Sequence, residues 1–337
     1  MARILYKHRQ RGVALITALL IVALATAAAA WLTSTHQLSI RRSGNLINGD
    51  QAYEYALGME MIAMIILQED YKESQKNNSF TDGFSDIWAV DVPPFPVEGG
   101  VVTGRVIDLQ GLFNLNSLYK NGNVDPETSM RFQRLLSYFE LDQGLIDAVI
   151  DWVDPDVTVK SSFGAEDDFY AGLEKPYRPA NRPFASVSEL RMVRGFDVEQ
   201  FDLLSKVLTV LPAATSINVN TAPMEVQIAL GVDPAMAEAL DQNPDRDPEP
   251  TTNPAGTADP QTQAKKQRMI AEFESIDDYI KAANNPRVKK EGLAVTSSYF
   301  LVESEARIDR GYCLLKSILY RDNSGNIRVV MRTQGTL

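Results

Sequence analysis

The stretch HRQRGVALITALLIVALATAAAAWL, His8 to Leu32, sets a basic segment against a single glycine and then against twenty residues without a charge. Before Gly12 stand Arg3, Lys7, Arg9 and Arg11 with no acidic residue, a flank that favours the cytoplasmic side of a membrane. From Val13 to Leu32 the apolar run can cross about 30 Å of hydrocarbon at ~1.5 Å per helical residue, which makes it a candidate spanning helix. An ordinary secretory signal is the alternative, with Val13 to Leu24 as its apolar region and Ala25, Ala27 and Ala29 offered to a peptidase. Two features weigh against that. The run continues through Trp31 and Leu32, and beyond Arg41 and Arg42 apolar residues recur at Ala52, Tyr55, Ala56, Met59, Ile62, Ala63 and Ile66, at helical spacing. One helix over 13–70, half in lipid and half amphipathic, is expected.

Working outward, 337 residues at 45% hydrophobic can bury a real core and hold more than one domain. Loss of the four cations before Val13 would take the formal charge from −11 to −15, a balance that argues against nucleic acid and for divalent cations or basic partners. Cys313 is the only cysteine, so no disulfide can form within the chain and stability must come from packing or metal.

After the helix, 72–100 is rich in Asn, Ser, Asp, Pro and Gly and reads mostly as loop. Val101 to Leu109 carries β-branched residues in partial alternation, a strand. From Asp125 to Ala283 the periods are helical, and strands return in SSYFLVESEARI, YCLLKSILYRD and NIRVVMR, with a hairpin turn at Asn323 to Asn326. Strands on both sides of a helical block give an α+β body. Its small antiparallel sheet should comprise 71–124 and 284–337, with a large α-helical domain, 125–283, inserted. Within the insert, Asp241 to Gln263 has many prolines and almost no apolar residues, and is expected to be disordered.

The densest chemistry is DWVDPDVTVKSSFGAEDDFYAG. Asp151, Asp154, Asp156, Glu166, Asp167 and Asp168 put six carboxylates into eighteen residues, with Lys160 alone to offset them. Hard oxygen ligands on an irregular loop suit calcium, which accepts six to eight oxygens, better than magnesium with its octahedral demand. A solvated loop whose aspartates cap helices and start turns remains the alternative. The loop is no EF-hand: counted from Asp154, the glycine position holds Val159 and the terminal carboxylate position Ala165.

SVSELRMVRGFDVEQFDLLSKVL has the apolar, glycine, apolar rhythm of a helix-hairpin-helix, a module that grips DNA phosphates through turn amides. An acidic body opposes that use, and packing is the better role for Gly195. A membrane-anchored DNA-binding protein of this type stays an alternative. So does a carboxylate or metal-dependent hydrolase using Asp154 and Glu166. Otherwise there is no HExxH motif, Ser/His/Asp arrangement or phosphate-cradling loop, and no enzyme is expected.

The basic leader ending in Gly12, followed by VALITALL and a long amphipathic continuation, resembles the class III leader of type IV pilins and pseudopilins. The resemblance implies that a prepilin peptidase cuts between Gly12 and Val13 on the cytoplasmic side and methylates Val13, so that the apolar helix stays in the mature chain. Members usually carry Glu at the fifth mature residue; this chain has Thr17. A carboxylate in the bilayer needs a partner, thought in the family to be the amino terminus of a subunit already in the filament. A first subunit has none, so Thr17 points to the filament tip.

Together with VIDLQGLFNLNSL, DWVDPD, GAEDDFY, KPYRPANRPFASVSELRMVRGF and INVNTAP, this leader is similar to the type II secretion system protein K family of minor pseudopilins. The resemblance covers Gly12 to about Tyr320. It implies calcium held by the acidic motif, at Asp154, Asp156, Glu166, Asp167 and Asp168. It implies minor pseudopilins I and J and the inner-membrane platform as partners, and a single-pass inner-membrane anchor with the body in the periplasm. The expected role is to start pseudopilus assembly for export of folded proteins across the outer membrane. Ala56, Met59, Ala63 and Ile66 are the helix positions expected to meet I and J by apolar burial.

Overall fold

The computed structural model describes residues 11–90, 92–242 and 272–335. Residues 1–10 of the expected leader and 243–263 of the expected disordered loop lie outside them. Helix α1 runs unbroken over Arg11–Asn77, longer at its end than the pattern indicated. A five-stranded antiparallel sheet lies against its C-terminal half, in the order β1 (Val92–Val97), β2 (Gly100–Asp108), β9 (Tyr299–Ile308), β10 (Gly311–Arg321) and β11 (Ile327–Gln334).

Edge strand β1 is VPPFPV, within a region read as loop. Proline cannot donate to a ladder, so such a sequence can be a strand at an edge and scarcely anywhere else. The β10–β11 hairpin turns where expected: the Asp322 amide donates to Asn326 O at 2.9 Å, and Gly325 takes φ +81°.

Small side chains let helix and sheet approach closely. Ala52, Ala56 and Met59 pack on Val102, Ala306, Ile308, Cys313 and Leu315, and Ala63 and Leu67 on Trp88, Phe300, Val302 and Leu319. A Cβ on Gly311 would stand 2.3 Å from Asn48 O of the helix, so glycine there is a condition of contact. Glu60, in the middle of this apolar seam, is tied down by Arg332, whose Nε and Nη2 donate at 2.8 and 2.7 Å, and by the Ser317 hydroxyl. Burial works against its charge, but these donors prevail and hold the carboxyl below its usual range.

The helical body occupies the connection between β2 and β9. It contains α2 (Pro126–Tyr138), α3 (Leu145–Val153), α4 (Asp167–Ala171), α5 (Val198–Leu204), α6 (Met224–Leu230), α7 (Pro234–Leu240) and α8 (Ile276–Ala283). SELRM, read as helix, forms instead a 3-10 turn over Val187–Met192. The domain limits shift as well. Phe113, Leu115, Leu118, Val288 and Leu293 belong to the helical core, so 113–124 and 284–294 leave the sheet domain to which the sequence pattern gave them. Their short strands pair inside the body, β3 (Phe113–Asn114) with β6 (Leu208–Thr209) and β7 (Ile217–Asn218) with β8 (Leu293–Ala294), both parallel, and β4 (Tyr119–Lys120) with β5 (Asn123–Val124), antiparallel.

A buried polar weld joins body to sheet. Asp108 at the end of β2 accepts from the Thr221 and Ser297 hydroxyls at 2.6 Å each and from Asn218 Nδ2 at 2.9 Å. Asn114 and Asn116 act as backbone surrogates, each taking an amide and giving to carbonyls of the 184 and 211–213 segments. The VIDLQGLFNLNSL and INVNTAP motifs are therefore structural: their asparagines and aspartate bridge chain segments that no ladder could connect.

Candidate cation site and assembly face

Asp151 lies in the last turn of α3, which ends at Val153 with Asp154 as its C-cap, and both aspartate side chains are buried. The chain then loops outward and returns to place Glu166 as the N-cap of α4. One carboxylate oxygen each from Asp154, Asp156 and Glu166 lie within 4.8 Å of one another, and Asp151 is near enough for its charge to act on Glu166 and to feel Asp154. Gly164 admits the return, since a Cβ there would stand 2.1 Å from Asp151 Oδ2.

This cluster is under-compensated. Both oxygens of Asp154 and both of Glu166 are buried without a hydrogen bond, and the counter-charge for Asp154 is the partly exposed Lys160 ammonium, 2.8 Å away. Burial, with repulsion from Asp151, Asp154 and Asp156, pushes the Glu166 carboxyl up to about 7. Asp151 is pushed up to about 6, again by burial first and then by Asp154. Orphaned buried oxygens on Asp154 and Glu166, with exposed Asp156 in reach, are what a bound cation would satisfy, so these three carboxylates fit a hard, oxygen-liganded ion, while Asp151 beside them accepts from the Lys160 amide.

The other two carboxylates do not join. Asp168 is exposed and Asp167 half-buried, both in the first turn of α4, where their charge favours the helix N-terminus. Sequence reasoning missed Asn181. Its Nδ2 donates to Asp156 O at 3.2 Å, while its Oδ1 is buried without a partner, one more neutral oxygen beside the cluster. A carboxylate count could not find it, although calcium takes amide oxygens readily.

Arg194, from the helix-hairpin-helix-like segment, braces the loop. Its Nη1 donates to Gly164 O at 2.7 Å, its guanidinium lies 4.7 Å over the Phe169 ring, and its amide donates to Tyr170 Oη at 3.2 Å. Gly195 beside it takes φ +86° against Leu145 of α3, the packing role expected of it.

A second acidic group was not singled out in the sequence. Asp70 at the end of α1, with Asp82 and Asp86, surrounds buried Arg321. Arg321 binds Asp70 at 3.1 Å, binds Asp82, and donates to Ser297 O at 3.0 Å. Burial still pushes Asp70 to about 7 and Asp82 to about 6.

On α1, Gly12 lies in the first turn and Val13 and Thr17 in the exposed N-terminal half of the helix, and the Thr17 hydroxyl donates to Ala14 O at 3.0 Å, within its own turn. The helix over 13–77 includes a segment long and apolar enough to cross a membrane once.

The expected partner positions need correction. Ala56, Met59 and Ala63 are buried and Ile66 half-buried, all against the chain's own sheet. The helical period was right, but the apolar stripe it marks is consumed internally. The free face carries Leu46, Ile47, Met61, Ile62 and Ile65, with Gly44, Gly49 and Gly58 bare along the helix.

The family model for type II secretion system protein K matches residues 111–213, the span holding the acidic loop and Arg194. A curated relative, type II secretion system protein K of Pseudomonas aeruginosa, is 36% identical over 339 residues, 98% of this chain and 94% of its own. The chain belongs to the type II secretion system protein K family. The family's Aeromonas hydrophila relative is 37% identical over 232 residues, 65% of this chain and 69% of its own. A chain of the GspK–GspI–GspJ complex from enterotoxigenic Escherichia coli shares the fold at TM-score 0.67 and 22% identity, covering 88% of this chain and all of that one. This family member is thus a minor pseudopilin, a structural component of a secretion machine. The DNA-binding and hydrolase alternatives find no support among these relatives.

Proposed function

We propose that this minor pseudopilin is the first subunit of the pseudopilus, anchored by α1 in the inner membrane with its body in the periplasm, and that it starts assembly with minor pseudopilins I and J. The observation that carries this reading is the two-sidedness of α1: one stripe is consumed by its own sheet, and the other is apolar and open. The bulk of the helical body, standing at the end of the sheet, supports a tip position, because such a subunit cannot repeat along a packed fibre. Thr17, with its hydroxyl satisfied inside the helix, needs no partner in the bilayer. Prepilin peptidase would cut before Val13 and methylate it. The role is structural, without turnover.

The test is co-purification of the full chain with I and J. Ile65→Asp and Met61→Asp should abolish it while the body still melts cooperatively, whereas Met59→Asp should unfold the chain's own seam. Co-purification unchanged by both substitutions on the free face would refute the reading. Mass spectrometry of the membrane-extracted protein should give a methylated Val13 terminus, and a start near Ala28 or Ala30 would restore the secretory-signal alternative.

Calcium at Asp151, Asp154, Asp156 and Glu166 belongs to the same proposal. Asp154, Asp156 and Glu166 already stand together, and the ion would supply positive charge to four buried oxygens without hydrogen bonds, on Asp154 and Glu166. Bound by the folded state alone, it stabilises by RT ln(1 + [L]/Kd), about 2.7 kcal/mol at a hundredfold excess over Kd. Melting curves identical in calcium and in chelator would remove the ion from the account.

A further inference from the structure

A cleft of about 280 Å³ opens on the helical body where α2, the 214–217 segment and Gly292 meet. Its lining includes Lys120, Arg131, Ser117, Thr128, Thr215 and Ser216, and none of the residues lining it is acidic. On a chain of formal charge −11 this lining stands out. The cleft beneath the end of α1 is lined instead by Asp70, Glu73, Asp86 and Glu272.

Arg131 carries the argument. It is 97% buried, being 3% exposed, a position a guanidinium occupies only when its donors and charge are accommodated. Nη2 is: it donates to Lys289 O at 3.2 Å and Glu291 O at 2.6 Å. Nε is not. It faces Glu127 Oε1 at 3.4 Å, and both atoms are buried without a hydrogen bond. Glu127 is shared besides with the Lys289 ammonium at 3.2 Å, so one carboxylate serves two cations. Nη1 reaches Gly292, where a Cβ would stand 2.9 Å away, and Gly292 is itself cleft lining. Lys120 stands at the mouth, half-exposed, with Asp125 at 2.5 Å. Burial pulls the Arg131 pKa below its usual value, the mark of a cation whose surroundings do not fully repay its desolvation.

We propose that this cleft is an oxyanion site: Arg131 on its floor, Lys120 at its mouth and the hydroxyls of Ser117, Thr128, Thr215 and Ser216 between them receive a carboxylate or phosphate group. The Nη1 edge of a buried guanidinium beside an ammonium suits either group, and hydroxyls complete the bonds to the remaining oxygens.

The experiment is calorimetric titration of the full chain in detergent micelles, with calcium chelated and ionic strength fixed, using sodium phosphate and separately sodium malonate. Wild type should bind at least one of the two at a single saturable site. Lys120→Ala, which loses only a surface pair, should weaken that binding at least fivefold, and Arg131→Lys, which keeps charge but loses the Nη1 donor beside Gly292, at least tenfold. Lys72→Ala, on α1, should leave it unchanged. Saturation by phosphate alone identifies a phosphate ligand and by malonate alone a carboxylate. No saturable binding of either anion, or equal affinity in Lys120→Ala, overturns the proposal. Should Arg131→Lys fail to fold, Lys120→Ala still decides it.

Discussion

Two acidic clusters among the described residues differ in what faces them. Around Arg321, Asp70 and Asp82 are buried but paired, and the guanidinium ties α1, the 79–89 loop and β10 into one unit. Around Glu166, Asp151 and Asp154 are buried with one partly exposed lysine to answer three or four charges. The first is a structural weld and the second an under-compensated cluster. The number of carboxylates does not separate them; the position of the nearest arginine does.

The strongest way to break this contrast is Arg321→Met. With the guanidinium gone, two buried carboxylates face each other, and stability at pH 7 should drop by about 3–5 kcal/mol in denaturant titrations. The loss should shrink near pH 5. Asp70 and Asp82 titrate near 7 and 6 in the folded chain against 3.8 for a free carboxyl, so the folded form takes up protons first and the cost accrues as pH rises towards 7. A variant as stable as wild type at pH 7 would make the weld decorative.

At the other cluster protons and calcium compete for the same oxygens. Glu166 and Asp151 titrate near 7 and 6, so calcium affinity should fall at least tenfold, about 1.4 kcal/mol, between pH 8 and pH 5.5, with protons released on binding. Calorimetry in two buffers of different ionisation enthalpy measures both.

Glu166→Gln sharpens the contrast further, because its sign should depend on the ion. In chelator it relieves repulsion and should raise stability by about 1 kcal/mol at pH 8; in calcium it should lower it. Destabilisation under both conditions would mean that Glu166 is held by contacts unrelated to charge. The smallest effect belongs to Asp168→Asn. Exposed and outside the cluster, it should move stability by less than about 0.5 kcal/mol and calcium affinity less than twofold.

The long helix, the strands β2 and β9 to β11, the β10–β11 turn and the acidic loop were all legible, because each is written in a local period or a run of one residue type. What escaped depends on contacts far apart in sequence. Asp70 and Arg321 lie 251 residues apart, and nothing near either marks the other. Asn181 offers an amide oxygen where carboxylates were sought. The apolar positions of α1 gave the right period and the wrong recipient, since a stripe looks the same whether it is covered by its own sheet or by another chain. The 113–124 segment falls to the sheet domain by its place after the strand at Val101 to Leu109, yet its large side chains fill the helical core.

β2 and β9 are adjacent in the sheet, yet roughly 190 residues separate them, and the Leu109 amide bonds Tyr299 O at 3.1 Å where the chain departs and returns. Closing so long a connection from an unstructured chain costs on the order of 5 kcal/mol in entropy, and far less once the intervening segment has collapsed into a body whose ends already meet. The order of events during synthesis follows. The helical body should fold first, while β9 to β11 are still being made, and the platform beneath α1 can be completed only when the last strands arrive. Until then the inner stripe of α1 lies open beside the outer one, so a nascent chain presents more apolar helix surface than the finished subunit, and engagement with other pilin-like subunits before the carboxyl-terminal hairpin forms would trap it incomplete.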